Sequence, residues 1–262
     1  LSFSCSSSSS NDLFIKSIQH FEDLHSYSIS GSGYGLDNFA IQALERPPLI
    51  SYSTSTILKS IDKEFDLKGK NILITGGSRG LGSVLVKACL LKGANVLTTY
   101  KTSEDSIKAI KKEVGDNGSH LVALRVDLTD EISVEHLNVW LKDQSIKLDY
   151  LICNAAPSIG QSRFDENQSF EFLKTFEAFY KIGLYSLKGS IEHFNEGCSI
   201  LNISTDYINS PVTGFSHYIS AKSAMESLFK GLNIEYPDYH FKSIRLPKMR
   251  TDQTNLGLDT SE

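Results

Sequence analysis

Tyr218 and Lys222 stand four residues apart in the stretch HYISAK, where a phenol and an ammonium could act together. A helix places positions i and i+4 on one face, so the two side chains would be neighbours. A free tyrosine has a pKa near ~10, and lowering it by about three units requires roughly 4 kcal/mol of preference for the phenolate. A nearby ammonium in a partly dehydrated cleft favours the phenolate. The spacing therefore predicts a tyrosine that exchanges protons near neutral pH.

A second stretch, TGGSRGLG from Thr75 to Gly82, lies between an apolar run and a helical pattern. In an open parallel sheet, this position is where a dinucleotide binds. Gly76 permits the tight turn, Gly80 lets the backbone approach a pyrophosphate, and Gly82 lets the helix pack closely on the strand. The helix N terminus offers free N–H groups to the phosphates. We interpret the turn as a cofactor site, the alternative being a purely structural turn.

These residues lie on a regular alternation of strands and helices that begins near Lys70. Apolar runs such as NILIT, ANVLTTY, LDYLICNAA and CSILNIS alternate with helical patterns such as LGSVLVKACLLKG and EISVEHLNVWLKD. Strands separated by helices pair in parallel through crossover connections. We therefore predict a Rossmann-like α/β fold, a doubly wound parallel sheet flanked by helices, over residues 67–262.

Residues 1–66 have a different pattern, with a serine-rich start. Phe14, Ile18 and Phe21 fall at helical spacing, and LDNFAIQALE also resembles a short helix. TSTILKSIDKEF predicts a third helix, with Thr54 or Ser55 as its cap. We expect a mostly helical N-terminal extension without recognisable chemistry.

Composition excludes some functions. The net charge of −5 argues against a nucleic-acid surface, and no apolar run approaches the ~18 residues needed to cross a membrane. The four cysteines are widely spaced and the histidines scattered, which predicts free thiols, no metal site and a cytoplasmic location. The serine-rich start leaves organelle import open. Because the first residue is Leu1, we expect a fragment or a processed product.

The glycine turn and Tyr218-x-x-x-Lys222 together resemble the short-chain dehydrogenase/reductase superfamily, in its single-domain TGxxxGxG branch, from about Lys68 to Thr251. Asp127-Leu128 resembles the strand end that contacts adenine, Asn154-Ala155-Ala156 resembles the NAG motif, and LPKMRTD resembles the PGxxxT stretch that clasps the nicotinamide. The resemblance implies a cofactor site formed by Thr75, Gly76, Ser78, Arg79, Gly80, Leu81, Gly82, Tyr100, Lys101, Asp127, Leu128, Asn154, Ala155, Ala156, Tyr218, Lys222, Pro247 and Thr251.

The resemblance also implies the catalytic roles. Tyr218 would give its proton to a carbonyl oxygen as hydride arrives from the nicotinamide, and Lys222 would hold the cofactor ribose. Relatives usually carry a serine about a dozen residues before the tyrosine. The corresponding position here is Thr205, which follows Ser204. Neighbours on a strand face opposite sides, so only one hydroxyl can enter the cleft. We favour Thr205, because threonine keeps a donor and acceptor hydroxyl.

Two cations indicate which dinucleotide binds. In NAD-preferring relatives the second strand ends in a carboxylate that binds the ribose 2′-OH. Here VLTTYKTS has no carboxylate, Lys101 follows Tyr100, and Arg79 lies within the glycine turn. A 2′-phosphate suits two cations, so we expect NADP(H) to be favoured over NAD(H). The alternative is that both are ordinary surface residues.

Three functions remain open. The first is an NADP(H)-dependent reductase of a small-molecule or carrier-bound carbonyl, such as a ketone or 3-oxoacyl compound. The second is a catalytically weak regulatory or structural dinucleotide-binding domain. It is favoured by Tyr180, which stands where many relatives carry a helix asparagine, by Thr205 in place of serine, and by an early C terminus. The third is an extended-branch sugar-nucleotide epimerase or dehydratase, which the triplet Ser-Thr-Asp favours.

The resemblance implies a homodimer or homotetramer. His217 is expected to be a surface histidine at a helix start.

Overall fold

The structure is a computed structural model that describes residues 2–7, 13–22, 26–33, 36–44, 52–162, 164 and 169–249. The chain divides into two compact units, one within residues 1–49 and the other over Ile50–Thr254.

The first unit is an antiparallel sheet of four strands. They are β1 (Ser2–Ser7), β2 (Leu13–Phe21), β3 (Ser26–Gly33) and β4 (Leu36–Leu44), and the sheet order is β1-β4-β3-β2.

The helices predicted for this region were wrong, because their sequences form β2 and β4. Positions four apart share a face in a strand as they do in a helix, so the spacing of Phe14 and Ile18 fits both. The pairing of this segment with β3 shows that it is a strand and not a helix. Ile18 lies opposite Ile29, and the rings of His20 and Tyr27 stack across the strands with centroids 4.3 Å apart. Such cross-strand pairs stabilise a sheet, but they join residues of different segments, so the spacing within one segment does not reveal them.

The second unit begins with α1 (Thr54–Ser60), the one helix predicted before residue 66 that forms among the described residues. Its cap is Ser53, whose Oγ accepts a hydrogen bond from the Thr56 N–H at 3.2 Å. The cap therefore lies one residue before the expected Thr54 or Ser55.

Alternating strands and helices follow in the predicted order. They are β5 (Asn71–Ile74), α2 (Gly80–Leu91), β6 (Asn95–Tyr100), α3 (Glu104–Glu113), β7 (Leu121–Arg125), α4 (Glu131–Asp143), β8 (Leu148–Cys153), α5 (Ser169–Lys188), β9 (Phe194–Thr205), α6 (Ser216–Glu235) and β10 (His240–Leu246). All strand pairs among β5–β10 are parallel, in the order β10-β9-β8-β5-β6-β7. This is the doubly wound order, and the predicted fold class is confirmed.

The sheet is covered on both faces. Ile72 and Ile74 of β5 lie in a buried cluster with Leu90 of α2, while Leu73 between them lies in a second cluster with Met225 of α6. Successive residues of a strand point to opposite faces, so the continuous apolar run of β5 is explained by helices on both sides.

Three cysteines in the described residues are buried free thiols, Cys89, Cys153 and Cys198. Burial raises the pKa of each to about 12. No helix within the described ranges has the length and apolar character needed to cross a bilayer.

Candidate active site

The carboxyl ends of the parallel strands lie along one edge of the sheet, and five of the candidate residues follow directly from them. Thr75 comes after β5, Lys101 after β6, Asp127 shortly after β7, Asn154 after β8, and Thr205 ends β9. In open α/β sheets this edge is where ligands bind.

Thr75 and Asn154 fasten the glycine turn to the neighbouring strand. Asn154 Nδ2 donates to the carbonyl oxygens of Thr75 at 3.1 Å and Gly76 at 3.0 Å. In return, Thr75 Oγ1 accepts from the backbone N–H groups of Asn154 at 3.1 Å and Ala155 at 3.2 Å. These reciprocal bonds satisfy polar groups where the strands end and hold the turn in place.

The glycines of the turn are required by its conformation and packing. Gly76 has φ of +69° and Gly80 φ of +54°, a region that side chains disfavour. A Cβ on Gly82 would lie 2.2 Å from the Gly76 oxygen, so α2 could not begin so close to the turn. Gly77 is also required, because its Cβ would lie 2.0 Å from Thr98 Oγ1. The motif alone gave Gly77 no role, and its need depends on the side chain of Thr98 on β6.

The start of α2 fits a phosphate group. Arg79 is the N-cap residue and its side chain makes no capping hydrogen bond, which leaves the first helical N–H groups without a side-chain acceptor. The Arg79 side chain is exposed, Ser78 is buried and Leu81 is half-buried. A helix N terminus with a glycine cradle suits a pyrophosphate, so these residues fit a dinucleotide.

At the end of β6, Lys101 lies against Asp127. The Lys101 Nζ is 2.7 Å from Asp127 Oδ2, and Thr129 donates to Oδ1 through its backbone N–H at 2.9 Å and its hydroxyl at 2.6 Å. Burial would raise the pKa of Asp127, but these bonds and the Lys101 charge outweigh it and lower the pKa to about 2. The cation expected to bind a 2′-phosphate is thus paired with the carboxylate expected at the adenine. Tyr100 is half-buried beside them, and Leu128 is buried.

Tyr218, Lys222 and Thr205 lie close together, where α6 packs against the end of β9. The Thr205 hydroxyl lies within hydrogen-bonding reach of the Tyr218 phenol. The Lys222 Nζ donates to the Ile203 carbonyl oxygen at 2.6 Å and lies 6.0 Å from the centre of the Tyr218 ring. Helix α6 therefore presents the phenol and the ammonium to the end of β9.

The charge state of this group differs from the expectation. Burial raises the pKa of Tyr218, an effect that the Thr205 hydrogen bond opposes and nearby Tyr207 reinforces. Burial also lowers the pKa of Lys222 to about 8, although Cys153 opposes this. Lys222 is not among the groups that act on the Tyr218 pKa in the protein alone, and its ammonium donates to the Ile203 carbonyl oxygen.

Ser204 does not join this group. Its hydroxyl instead donates to Glu226 Oε1 of α6 at 2.6 Å, with both residues buried. Its place among the candidate catalytic residues is therefore corrected, since alternation along the strand directs only Thr205 towards Tyr218.

Aromatic side chains surround the phenol. The ring of Phe179 lies 5.0 Å from that of Tyr218, and the ring of Tyr207 lies 6.4 Å away. Tyr180 stacks on Phe176 with centroids 6.1 Å apart, next to the cluster that contains Tyr218 and Ala156. This ring arrangement gives the site an apolar wall.

The expectation of a surface His217 was wrong, because this side chain is 1 % exposed. The edge of Phe172 packs on it at 5.7 Å between centroids, and burial lowers the pKa of His217. The residue precedes Tyr218 on the first turn of α6, and the loop containing Gly160 covers it. A helix start predicts exposure only when no loop lies over it.

At the far edge of the sheet, Pro247 follows β10 and is exposed. Thr251, also predicted to contact the cofactor, lies outside the described residues.

Comparison with known proteins agrees with this fold. Residues 70–255 match the family model described as short chain dehydrogenase, and the chain belongs to this family. A fatty acyl-CoA reductase of Acinetobacter baylyi is 28 % identical over 191 residues, which cover 71 % of this chain and 64 % of the relative. The chain thus spans less than two thirds of that protein.

Solved structures share the fold. The 3-ketoacyl-(acyl-carrier-protein) reductase of Brucella melitensis, complexed with NADH, has a TM-score of 0.64 and 23 % identity, covering 72 % of this chain and 79 % of that one. A short chain dehydrogenase of Burkholderia cenocepacia, in complex with NADP, has a TM-score of 0.65 and 23 % identity, covering 72 % and 78 %.

Proposed function

We propose that this protein is a nicotinamide-dependent oxidoreductase that reduces a carbonyl group to an alcohol. The observation that carries the proposal is the meeting of Tyr218, Thr205 and Lys222 at the sheet edge that also holds the glycine turn. Family membership supports the same reading. A donor phenol, a second hydroxyl and a lysine beside a dinucleotide cradle form a set whose roles complement one another.

The reaction assigns each residue a separate task. A bound nicotinamide cofactor would supply the hydride for the carbonyl carbon. Thr205 holds the carbonyl oxygen through its hydroxyl, and Tyr218 donates its proton to that oxygen, which completes the alcohol. The raised pKa of Tyr218 keeps the phenol protonated at neutral pH, as a proton donor requires. Lys222 would hold the cofactor ribose, and its ammonium would stabilise the phenolate once the proton has left.

NADP(H) is the cofactor that the charges favour. Arg79 is exposed at the start of α2, and no described residue forms an ion pair with it. Lys101 stands at the end of β6, where a carboxylate would select NAD. A 2′-phosphate would compete with Asp127 for Lys101 and gain Arg79 as a second partner. Relatives with the same fold contain either nucleotide.

An acyl thioester is the substrate class we favour. The relatives named above are a fatty acyl-CoA reductase and a 3-ketoacyl-(acyl-carrier-protein) reductase. The aromatic wall of Phe179, Tyr207 and Phe215 beside Tyr218 suits an apolar chain next to the reacting carbonyl.

A dinucleotide-binding domain without turnover is the second candidate. It is favoured by Tyr180, which packs among aromatic rings where relatives carry an asparagine that relays protons. The phenol of Tyr218 would then lack that route for recovering its proton.

Nucleotide binding and catalytic turnover together distinguish the reductase from a dinucleotide-binding domain without turnover. The purified chain should be titrated with NADPH and NADH by fluorescence, and then assayed for NADPH oxidation with ketones and 3-oxoacyl-CoA compounds. The reductase predicts tighter NADPH binding and turnover with at least one 3-oxoacyl thioester. NADPH binding without turnover on the whole panel would favour the second candidate, and failure to bind either nucleotide would exclude both.

A further inference from the structure

A charged cluster formed by Ser204, Glu226, Arg245 and Asn209 lies beside the end of β9, with Ser204 and Glu226 buried and Arg245 and Asn209 exposed. Glu226 is 8 % exposed and Ser204 3 %. Arg245 donates to Glu226 through Nε at 3.0 Å and through Nη2 at 2.7 Å, in a two-point contact. The pairing with Arg245, helped by Ser204, lowers the pKa of Glu226 against the opposing effect of burial, so the carboxylate is charged. A paired carboxylate is a strong acceptor for the Ser204 hydroxyl.

The cluster joins the elements that carry the active site. Glu226 follows Tyr218 and Lys222 on α6 at intervals of four residues, so all three lie along one face of the helix. On β9, Ser204 is next to Thr205, and Arg245 of β10 lies opposite Ser204 in the parallel register. Helix α6 is thus hydrogen-bonded to two successive residues of β9. Lys222 donates to the Ile203 carbonyl oxygen, and Glu226 accepts from the Ser204 hydroxyl.

The same cluster reaches the turn beyond Thr205. Arg245 donates to Asn209 Oδ1, and Asn209 Nδ2 donates to Asp206 Oδ1 at 2.9 Å. Thr205 Oγ1 accepts from the Tyr207 N–H at 3.3 Å in this turn. The position of the Thr205 hydroxyl is therefore set on one side by the neighbouring Ser204, which Glu226 holds, and on the other by the turn that Arg245 holds through Asn209.

We propose that Glu226 is a positioning residue, which fixes the Thr205 hydroxyl against the Tyr218 phenol by holding Ser204 and Arg245. This role rests on the proposed function for its effect on turnover, but the geometry it controls exists without turnover. A displacement of reacting groups by an ångström can lower a rate by about two orders of magnitude. Loss of the Glu226 carboxylate should therefore reduce kcat without weakening the binding of NADPH, since Glu226 bonds to Ser204 and Arg245 and not to the residues of the glycine turn.

The first test is a mutant cycle between Glu226→Gln and Thr205→Ala. If Glu226 acts through Thr205, Glu226→Gln lowers kcat by roughly 10-fold in the wild type and by less than about 2-fold in the Thr205→Ala background, with the NADPH KM unchanged. Glu235→Gln, an exposed carboxylate on the same helix, is the matched control and should leave kcat unchanged. An equal loss in both backgrounds, or no loss in the wild type, overturns the proposal.

The second test does not depend on turnover. Tyrosines are replaced by 3-fluorotyrosine, and the Tyr218 resonance is assigned by its loss in Tyr218→Phe. Titration by fluorine NMR should show a higher Tyr218 pKa in both Glu226→Gln and Thr205→Ala, with no further rise in the double variant. An unchanged pKa in Glu226→Gln overturns the proposal. A shift as expected in a protein that turns over no carbonyl would leave the positioning role standing and reject the reductase instead.

Should Glu226→Gln not fold, Ser204→Ala is used in both tests, because it leaves the pair between Glu226 and Arg245 intact. The same coupling with Thr205 is expected, and additive effects overturn the proposal.

Discussion

The Lys101 ammonium lies 2.7 Å from the Asp127 carboxylate and connects the ends of two neighbouring strands, β6 and β7. Lys101 is 63 % exposed and Asp127 31 %, so this pair is open to solvent on the lysine side. A ligand phosphate can therefore reach Lys101 without disturbing the buried part of the sheet. In this pair, Lys101 is the residue expected to favour NADP(H), and Asp127 is the residue expected to contact the adenine ring.

Removing the cations should reduce the preference for NADPH. Because charge-assisted hydrogen bonds contribute ~1.5–3 kcal/mol, Lys101→Ala and Arg79→Ala are each expected to weaken NADPH binding by roughly 10-fold. NADH lacks the 2′-phosphate, so its affinity should change by less than about 2-fold. Fluorescence titration with both nucleotides measures the ratio. Lys108→Ala, an exposed lysine on α3, is the control, and equal losses for NADH and NADPH would contradict the assignment.

Asp127 should make stability depend on pH. Its folded-state pKa of about 2 lies below the ordinary 3.8, so its stabilising contribution is present above the ordinary value and is lost as pH falls towards 2. After allowance for solvent screening, we expect the contribution to be about 1 kcal/mol at pH 7. Urea unfolding at neutral and acidic pH should show a smaller acid loss in Asp127→Asn than in the wild type. Parallel pH curves for the two proteins would contradict this.

The ionisation of Lys222 should limit activity at alkaline pH. With a pKa lowered to about 8 by burial, Lys222 loses its charge as the pH rises through that value. The group that we propose holds the ribose and stabilises the phenolate then becomes neutral, so the rate should decline above pH 8. Lys222→Met should be slow throughout and lack this limb of the pH–rate profile. Lys230→Met, exposed on the same helix, should retain it.

The same shift has the opposite consequence for folding. Because the folded pKa of Lys222 is lowered, the unfolded chain binds more protons between pH 8 and 10.5, and its contribution to stability rises with pH in that window. Activity and the Lys222 contribution to stability should therefore move in opposite directions above pH 8.

Gly82→Ala should disrupt the cofactor cradle. The added Cβ would lie 2.2 Å from the Gly76 oxygen and 2.6 Å from Asn154 Nδ2, both parts of the turn. We expect a loss of about 1–3 kcal/mol in unfolding free energy, together with weaker NADPH binding. Gly231→Ala is the matched control, because a Cβ there meets nothing within 4 Å, and it should stabilise α6 by about 0.5–1 kcal/mol. Urea unfolding measures both, and equal effects would contradict the packing argument.

Local patterns predicted the second unit well and the first poorly. The strands and helices from β5 to β10 carry continuous apolar runs, glycine stops and helical periodicity, which all indicate the same structure. The first unit has serine-rich strands whose pairing partners are distant in sequence, so no local signal distinguished a strand from a helix at Phe14 and Ile18.

In the site, the motifs indicated which residues meet but not what holds them. Alternation on β9 was enough to separate Thr205 from Ser204. Neither Glu226 nor Arg245 had a signal of its own, because their contact depends on the packing of α6 and β10 over the same strand. The burial of His217 likewise depends on a loop that approaches from residue 160.

The central claim is that Tyr218 donates the proton, and Tyr218→Phe tests it most directly. Wild type and variant should be compared in single-turnover NADPH oxidation with acetoacetyl-CoA, alongside NADPH titration of both proteins. If the phenol is the proton donor, the variant should bind NADPH as the wild type does and oxidise it at least ~10²-fold more slowly. Turnover by Tyr218→Phe at the wild-type rate would contradict the claim.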